Sequence, residues 1–157
     1  MNLLESDLRK SIDEQGYWGR RLRDVIGKFG SSSPFDYMLW DGFTFVAVEC
    51  KMLRARKSGN PKSFPFSSLS DDQFNGLRDI SKWDNSKAFV MVNFRWTNNQ
   101  KGETFLITIN HYMYLKEYMD RKSIPLDKFR DDDKIISLER KDSGWDLSPL
   151  FLRKGRR

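Results

Sequence analysis

An aspartate at position 36, a glutamate at 49 and a lysine at 51 are the residues of this 157-residue chain whose types and spacing point most directly to chemistry. Two carboxylates on one rigid surface can grip a divalent cation, and an ammonium beside them can act on water or on phosphate charge. Carboxylate oxygens suit Mg²⁺ or Mn²⁺. Buried without such a cation, the two acids would repel each other and a pKa would rise. Lys51 would orient or deprotonate an attacking water, or stabilise charge on the phosphorane. The alternative for Glu49 and Lys51 alone is an ordinary same-face pair at a strand end. An acid brought alongside by the chain's own geometry favours the chemical reading.

That geometry is a β-hairpin. Asp41-Gly42 is a two-residue turn signal, and the flanks, Asp36-Tyr-Met-Leu-Trp40 and Phe43-Thr-Phe-Val-Ala-Val-Glu-Cys-Lys51, are aromatic and β-branched. With 41 and 42 in the turn, Trp40 pairs with Phe43, Met38 with Phe45 and Asp36 with Ala47. Side chains alternate faces, so Asp36, Ala47, Glu49 and Lys51 share one face, with Glu49 diagonal to Asp36. Tyr37, Leu39, Val46, Val48 and Cys50 take the other. Both faces are largely apolar, which predicts a central hairpin covered on both sides. A one-residue slip would move Asp36 to the wrong face.

The length predicts a single domain, 1–157, with a basic tail at about 153–157. Hydrophobic residues make up 38% and aromatics 14%, enough for a packed core. No apolar run approaches a membrane span, and the acidic start does not read as a signal peptide. The lone cysteine, Cys50, excludes an internal disulfide and a Cys-rich zinc site, and weakly favours an intracellular setting. No organic cofactor is expected.

The net charge of +6 suggests a polyanionic partner, and its distribution says more. Lys51, Arg54, Arg56, Lys57 and Lys62 form an acid-free run. Arg20, Arg21 and Arg23 make a second cluster, and Arg153, Lys154, Arg156 and Arg157 a third. Each alone is most simply a solvated surface; together, flanking a candidate metal site, they predict phosphate contacts. The Gly- and Ser-rich loop before the hairpin, with Ser31, Ser32 and Ser33, could let a phosphate approach the backbone, or could be a plain linker.

The remaining elements position these groups. Leu3, Leu4, Leu8 and Ile12 fit one helical face ending at Gly16, with Glu5 beside the stripe. Glu5 either points toward the metal or favours the helix dipole as a first-turn acid. Residues 17–26 read as a short strand, and 54–65 as an exposed basic loop. Ser70-Asp-Asp-Gln73 is a capping box that opens a helix through Ile80 and fully explains Gln73 as its N3 residue. Residues 88–94 and 104–109 read as strands. Asn110 is expected to cap a helix to about Lys122, and 134–138 to form a short strand. His111, the lone histidine, is expected to pack or lie exposed. The order is that of an α/β domain with a central sheet.

Asp36 followed by Glu49-Cys-Lys51 resembles the PD-(D/E)xK nuclease core. Lys62-Ser-Phe-Pro-Phe-Ser-Ser-Leu-Ser-Asp-Asp-Gln73 is similar to the Ser-Phe-Pro segment and following helix of RecU-type Holliday junction resolvases. Gln73 stands where that family has a glutamine near the metal, and Glu5 matches the acid of an N-terminal helix in cellular and viral resolvases. Ser31-Ser32-Ser33 resembles a loop of the archaeal branch that contacts the scissile phosphate region. The resemblance covers roughly residues 1–95. Two features depart from it: Asp71 and Asp72 precede Gln73 where relatives are often more basic, and the long basic stalk of the bacterial family is missing.

The resemblance implies a restriction-endonuclease-like α/β fold, a central mixed β-sheet flanked by helices. It also implies a homodimer that makes paired nicks in a four-way DNA junction. Asp36 and Glu49 would bind Mg²⁺ (or Mn²⁺) with help from Glu5, Lys51 would act on water or developing charge, and Gln73 would position the water or a ligand. A two-fold dimer offers two sites at fixed separation, matching the two cleavage points of a junction. Other nucleases on the same core, whether restriction-type, repair or exonucleolytic, remain open, as does a non-catalytic DNA-binding protein.

Overall fold

The computed structural model describes residues 2–22, 33–97 and 101–152. Asn2 accepts the Glu5 N–H at 2.9 Å and starts helix α1 (Leu3–Gln15), which Gly16 closes in the left-handed conformation. Strands β1 (Trp18–Arg21), β2 (Tyr37–Trp40) and β3 (Phe45–Arg54) follow, then β4 (Ser63–Pro65), helix α2 (Asp71–Ser81) and β5 (Ser86–Arg95). The chain continues through β6 (Glu103–Thr108), α3 (Ile109–Tyr118), β7 (Ser123–Pro125), α4 (Leu126–Asp131) and β8 (Ile136–Ser137).

Among the described residues, one sheet has the order β1-β2-β3-β5-β6-β8. Only β3 and β5 run parallel, joined by a crossover that contains α2; the other neighbours are antiparallel, so the sheet is mixed. Both faces are covered. Ala47, Val90 and Val92 pack with Leu77 of α2, Tyr112 and Leu115 of α3, and Phe129 of α4. Val46, Val48, Cys50 and Met91 pack beneath Leu4, Leu8 and Ile12 of α1 together with Trp145 and Leu150. The alternation along β3 therefore sends Cys50 toward α1 and sends Glu49 and Lys51 toward α2. Among the described residues no helix is long and apolar enough to cross a membrane.

Several expectations need correction. The hairpin loop spans four residues, not two. Trp40 pairs with Phe45, Met38 with Ala47 and Tyr37 with Val48. The cause is Asp41, whose Oδ1 accepts from the N–H groups of Phe43 and Thr44 at 2.9 and 2.7 Å and folds the loop around its own carboxylate. The slip is two residues, so every side chain keeps its face. The 54–65 stretch is not one open loop: β4 pairs with β7, Phe64 opposite Ile124. Helix α3 is capped by Thr108, not Asn110, because the Thr108 hydroxyl reaches the His111 N–H at 3.2 Å. His111 packs, as expected, stacked on the Tyr114 ring, and its Nε2 also lies 2.8 Å from Asp132 Oδ2.

One buried polar network ties α1 to the end of β5 and the start of β6 on the face it covers. Arg95 donates to Asp7 at 2.9 Å and to Asn93 Oδ1 at 3.1 Å, while Asn93 holds the Thr104 hydroxyl. Arg95 and Asp7 have side chains only 7% and 10% exposed, and removing Arg95 leaves Asp7 with only the longer contact to Lys101 Nζ at 3.8 Å. Arg95→Met is expected to lower unfolding free energy by about 3–5 kcal/mol in urea titrations. A loss below 1 kcal/mol would show that water replaces the guanidinium.

Candidate active site

Glu49 and Lys51 stand two residues apart on β3, beneath the first turn of α2. Lys51 Nζ lies 3.1 Å from Glu49 Oε1. Gln73 joins the two: its Nε2 donates to Glu49 Oε1 at 2.8 Å and its Oε1 accepts from Lys51 Nζ at 3.0 Å. The same Oε1 accepts from the Ser70 N–H at 3.1 Å, and the Ser70 hydroxyl accepts from the Gln73 N–H at 3.2 Å. The capping box is present, and it holds the amide of Gln73 against the two β3 side chains. One residue thus helps to start a helix and fixes both the Glu49 carboxyl and the Lys51 ammonium.

Asp36 enters from the start of β2. Its backbone N–H bonds Val48 O at 3.1 Å, and its Oδ2 accepts from the Cys50 N–H at 2.8 Å. Strand β2 is shorter than β3, so its end leaves the Cys50 N–H without a ladder partner, and the Asp36 carboxylate supplies one. Gly76 helps to place this approach. Glycine inside a helix costs about 1 kcal/mol relative to alanine. Here a Cβ would lie 2.4 Å from Pro34 Cβ, so the glycine lets the segment leading to Asp36 pack directly on α2.

Glu5 arrives from the opposite layer. It is buried on α1 and pairs with Arg21 Nε at 2.8 Å. Its charge still reaches Asp36 and Glu49. Burial pushes the Asp36 carboxyl up, with Glu5 adding to the rise and the Cys50 N–H opposing it. The Glu49 carboxyl is pushed up to about 7, first by burial and then by Asp36, against the pull of Lys51. Glu49 therefore titrates near neutrality.

These acids bear on a cation in a definite way. Among the described residues no three histidine, cysteine, aspartate or glutamate side chains gather as a ready metal cage. Glu5 is engaged by Arg21, which leaves Asp36 and Glu49 as the carboxylate pair. In Glu49 both side-chain partners sit on Oε1, and in Asp36 the Cys50 N–H bonds Oδ2. The second oxygen of each has no hydrogen bond from a described residue. Two mutually repelling carboxylates, each with one uncommitted oxygen, fit a hard divalent ion.

The other residues singled out in the sequence fall around this centre. Arg20 and Arg21 line a concavity of about 780 Å³ between α1 and β1, with Arg9. Arg54, Arg56 and Lys62 line another of about 690 Å³ beyond the end of β3, and Lys57 is exposed in the turn between Arg56 and Gly59. Arg21 is not a free cation, because Glu5 holds it. Ser33 is half-buried. Arg23, Ser31, Ser32, Arg153 and Lys154 lie outside the described residues. The charge-run reading missed Lys116, Arg121 and Lys122, which converge in space although Glu117 and Asp120 interrupt them in sequence.

Glu49 gives a test that needs no substrate. Its folded pKa of about 7 lies above the ordinary 4.5, so the fold is favoured by the protonated form. That contribution is complete below pH 4.5 and gone above pH 7. In chelator, Glu49→Gln should gain on the wild type by about 2–3 kcal/mol between pH 4.5 and pH 8. A stability difference that does not change with pH would place the carboxylate in water instead.

No family model matches the chain, and no curated protein matches it. Among solved structures, it is similar to the 1.6 Å structure of Archaeoglobus fulgidus Hjc, a Holliday junction resolvase from an archaeal hyperthermophile. The identity is 18%, the match covers 78% of this chain and 84% of that one, and the TM-score is 0.46.

Proposed function

We propose that this protein is a Mg²⁺-dependent DNA endonuclease that cuts four-way junctions, acting as a homodimer. The observation that carries the nuclease reading is the Glu49 carboxyl, tied to Lys51 and Gln73 and raised by burial and then by its neighbour Asp36. Asp36 and Glu49 would hold the cation, with Glu5 and its Arg21 partner setting the field behind them. When bound, the ion would acidify water and offset phosphate charge.

The chain's own groups do the rest. An ammonium has three donors, and in Lys51 two are spent on Glu49 and Gln73. The third is left for a phosphate oxygen or the attacking water. Gln73 keeps that ammonium aimed, so Lys51 need not be ordered at the moment of reaction. Hydrolysis then forms one bond from water to phosphorus and breaks one to the leaving oxygen. The concavities bearing Arg20, Arg54, Arg56 and Lys62 would take backbone phosphates on either side.

Junction selectivity and the dimer come from the sequence resemblance to resolvases. A panel of four-way junction, linear duplex and single strand, each with Mg²⁺ and with chelator, tests them together. Symmetric, Mg²⁺-dependent nicks confined to the junction are expected. Equal cutting of duplex would leave a nuclease of another kind, and tight binding without cutting would leave a DNA-binding protein.

A further inference from the structure

We propose that the cavity walled by Ser67, Ser70, Asp71, Lys116, Arg121 and Lys122 is a second phosphate subsite, which holds the nucleic-acid backbone on the α2 side of the cleavage point. The proposal rests on the nuclease reading above and names substrate contacts that reading lacks.

The cavity encloses about 630 Å³, within the range of ligand pockets and ample for a phosphate with its sugar. Its three cations come from two parts of the chain, the last turn of α3 and the turn into β7, yet they face one hollow. Cations pair with acids elsewhere in the fold, Arg21 with Glu5, Arg95 with Asp7, Lys128 with Asp132 and Arg130 with Glu103, though many exposed ones such as Arg54 and Arg56 do not. What matters for these three is that they face one hollow. Lys116, Arg121 and Lys122 form no ion pair with any described residue, although Asp71 lines the same wall. The hollow keeps an excess of two positive charges at the surface. Three unpaired cations around a concavity are what a polyanion backbone requires.

The scaffold beneath is fixed. Lys122 O accepts from the Phe66 N–H at 3.0 Å, and the buried Tyr112 hydroxyl donates to Phe66 O at 2.8 Å. The cavity is also coupled to the active site through one side chain. Ser70, on its wall, donates its N–H to Gln73, whose amide holds Glu49 and Lys51. A strand lying with one phosphate at Glu49 and Lys51 would therefore meet the Lys116–Lys122 cluster as it crosses the start of α2.

The test measures binding of a labelled four-way junction and a labelled duplex in chelator across a salt series. It compares wild type with Lys116→Gln/Arg121→Gln/Lys122→Gln. Each lost phosphate contact flattens the log–log salt dependence by about 0.9, so a slope shallower by about 2–3 is expected. The single-turnover rate on saturated junction should stay within about twofold, because these groups touch the backbone and not the reacting atoms. The charge-matched control, Lys10→Gln/Arg140→Gln/Lys141→Gln, should change the slope by less than half as much. All six side chains are exposed, and thermal melts check that both variants remain folded. An unchanged slope in the first variant, or an equal change in both, overturns the subsite while cleavage by wild type still stands. A wild type that binds no nucleic acid overturns the nuclease reading and the subsite together.

Discussion

Glu49→Gln is expected to bind junction DNA as tightly as wild type, or more tightly, and to cut it at least about 10³-fold more slowly. Stabilisation of charge by a divalent ion amounts to several kcal/mol, and each 1.36 kcal/mol is a factor of ten. Glutamine preserves the acceptor that Gln73 and Lys51 share on Oε1 and removes only the charge. Binding survives because repulsion between carboxylate and phosphate disappears. Asp36→Asn should behave alike, since asparagine can still accept from the Cys50 N–H. Electrophoretic binding and single-turnover cleavage, run on one preparation, separate the two effects. Parallel loss of binding and cleavage would mean that these acids hold the fold together and do no chemistry.

Lys51→Ala is expected to slow cleavage by about 10²–10⁴-fold, the usual contribution of a positioned proton-transfer or charge-stabilising group. The pH profile adds a sharper mark. Lys51 pulls the Glu49 carboxyl down against burial and Asp36. Without the ammonium that carboxyl rises above about 7, so the deficit should be largest at low pH and shrink as pH increases. The acid limb of the rate profile moves to higher pH. A uniform deficit across pH would mean that Lys51 acts on substrate alone and leaves Glu49 untouched.

The faces of the central hairpin were legible in the sequence because strand periodicity is two. Even the misjudged turn did no harm: Asp41 lengthened the loop by two residues, and an even slip preserves sides. The helix start at Ser70 was equally plain, since a capping box is local. What Gln73 reaches was not. Its contacts with Glu49 and Lys51 exist because the β3–α2–β5 crossover lays residue 73 over β3, and spacing along the chain does not encode that. The Asp7–Arg95 pair joins positions 88 residues apart and left no pattern except a charge at the end of an apolar strand. The Glu5–Arg21 pair was hidden for a similar reason, since reading Arg21 within a basic run obscured its acidic partner on another element. Charge runs find cations that are neighbours in sequence; Lys116 meets Arg121 and Lys122 only in space.

Calorimetric titration of Mn²⁺ into the metal-free protein at pH 6 and pH 8 tests most directly whether Asp36 and Glu49 form a cation site. Binding should be roughly tenfold tighter at pH 8, because below about pH 7 the ion must displace the Glu49 proton. Asp36→Asn/Glu49→Gln should abolish it at both pH values. Failure of wild type to bind Mn²⁺, or equal affinity in the double variant, would contradict the account.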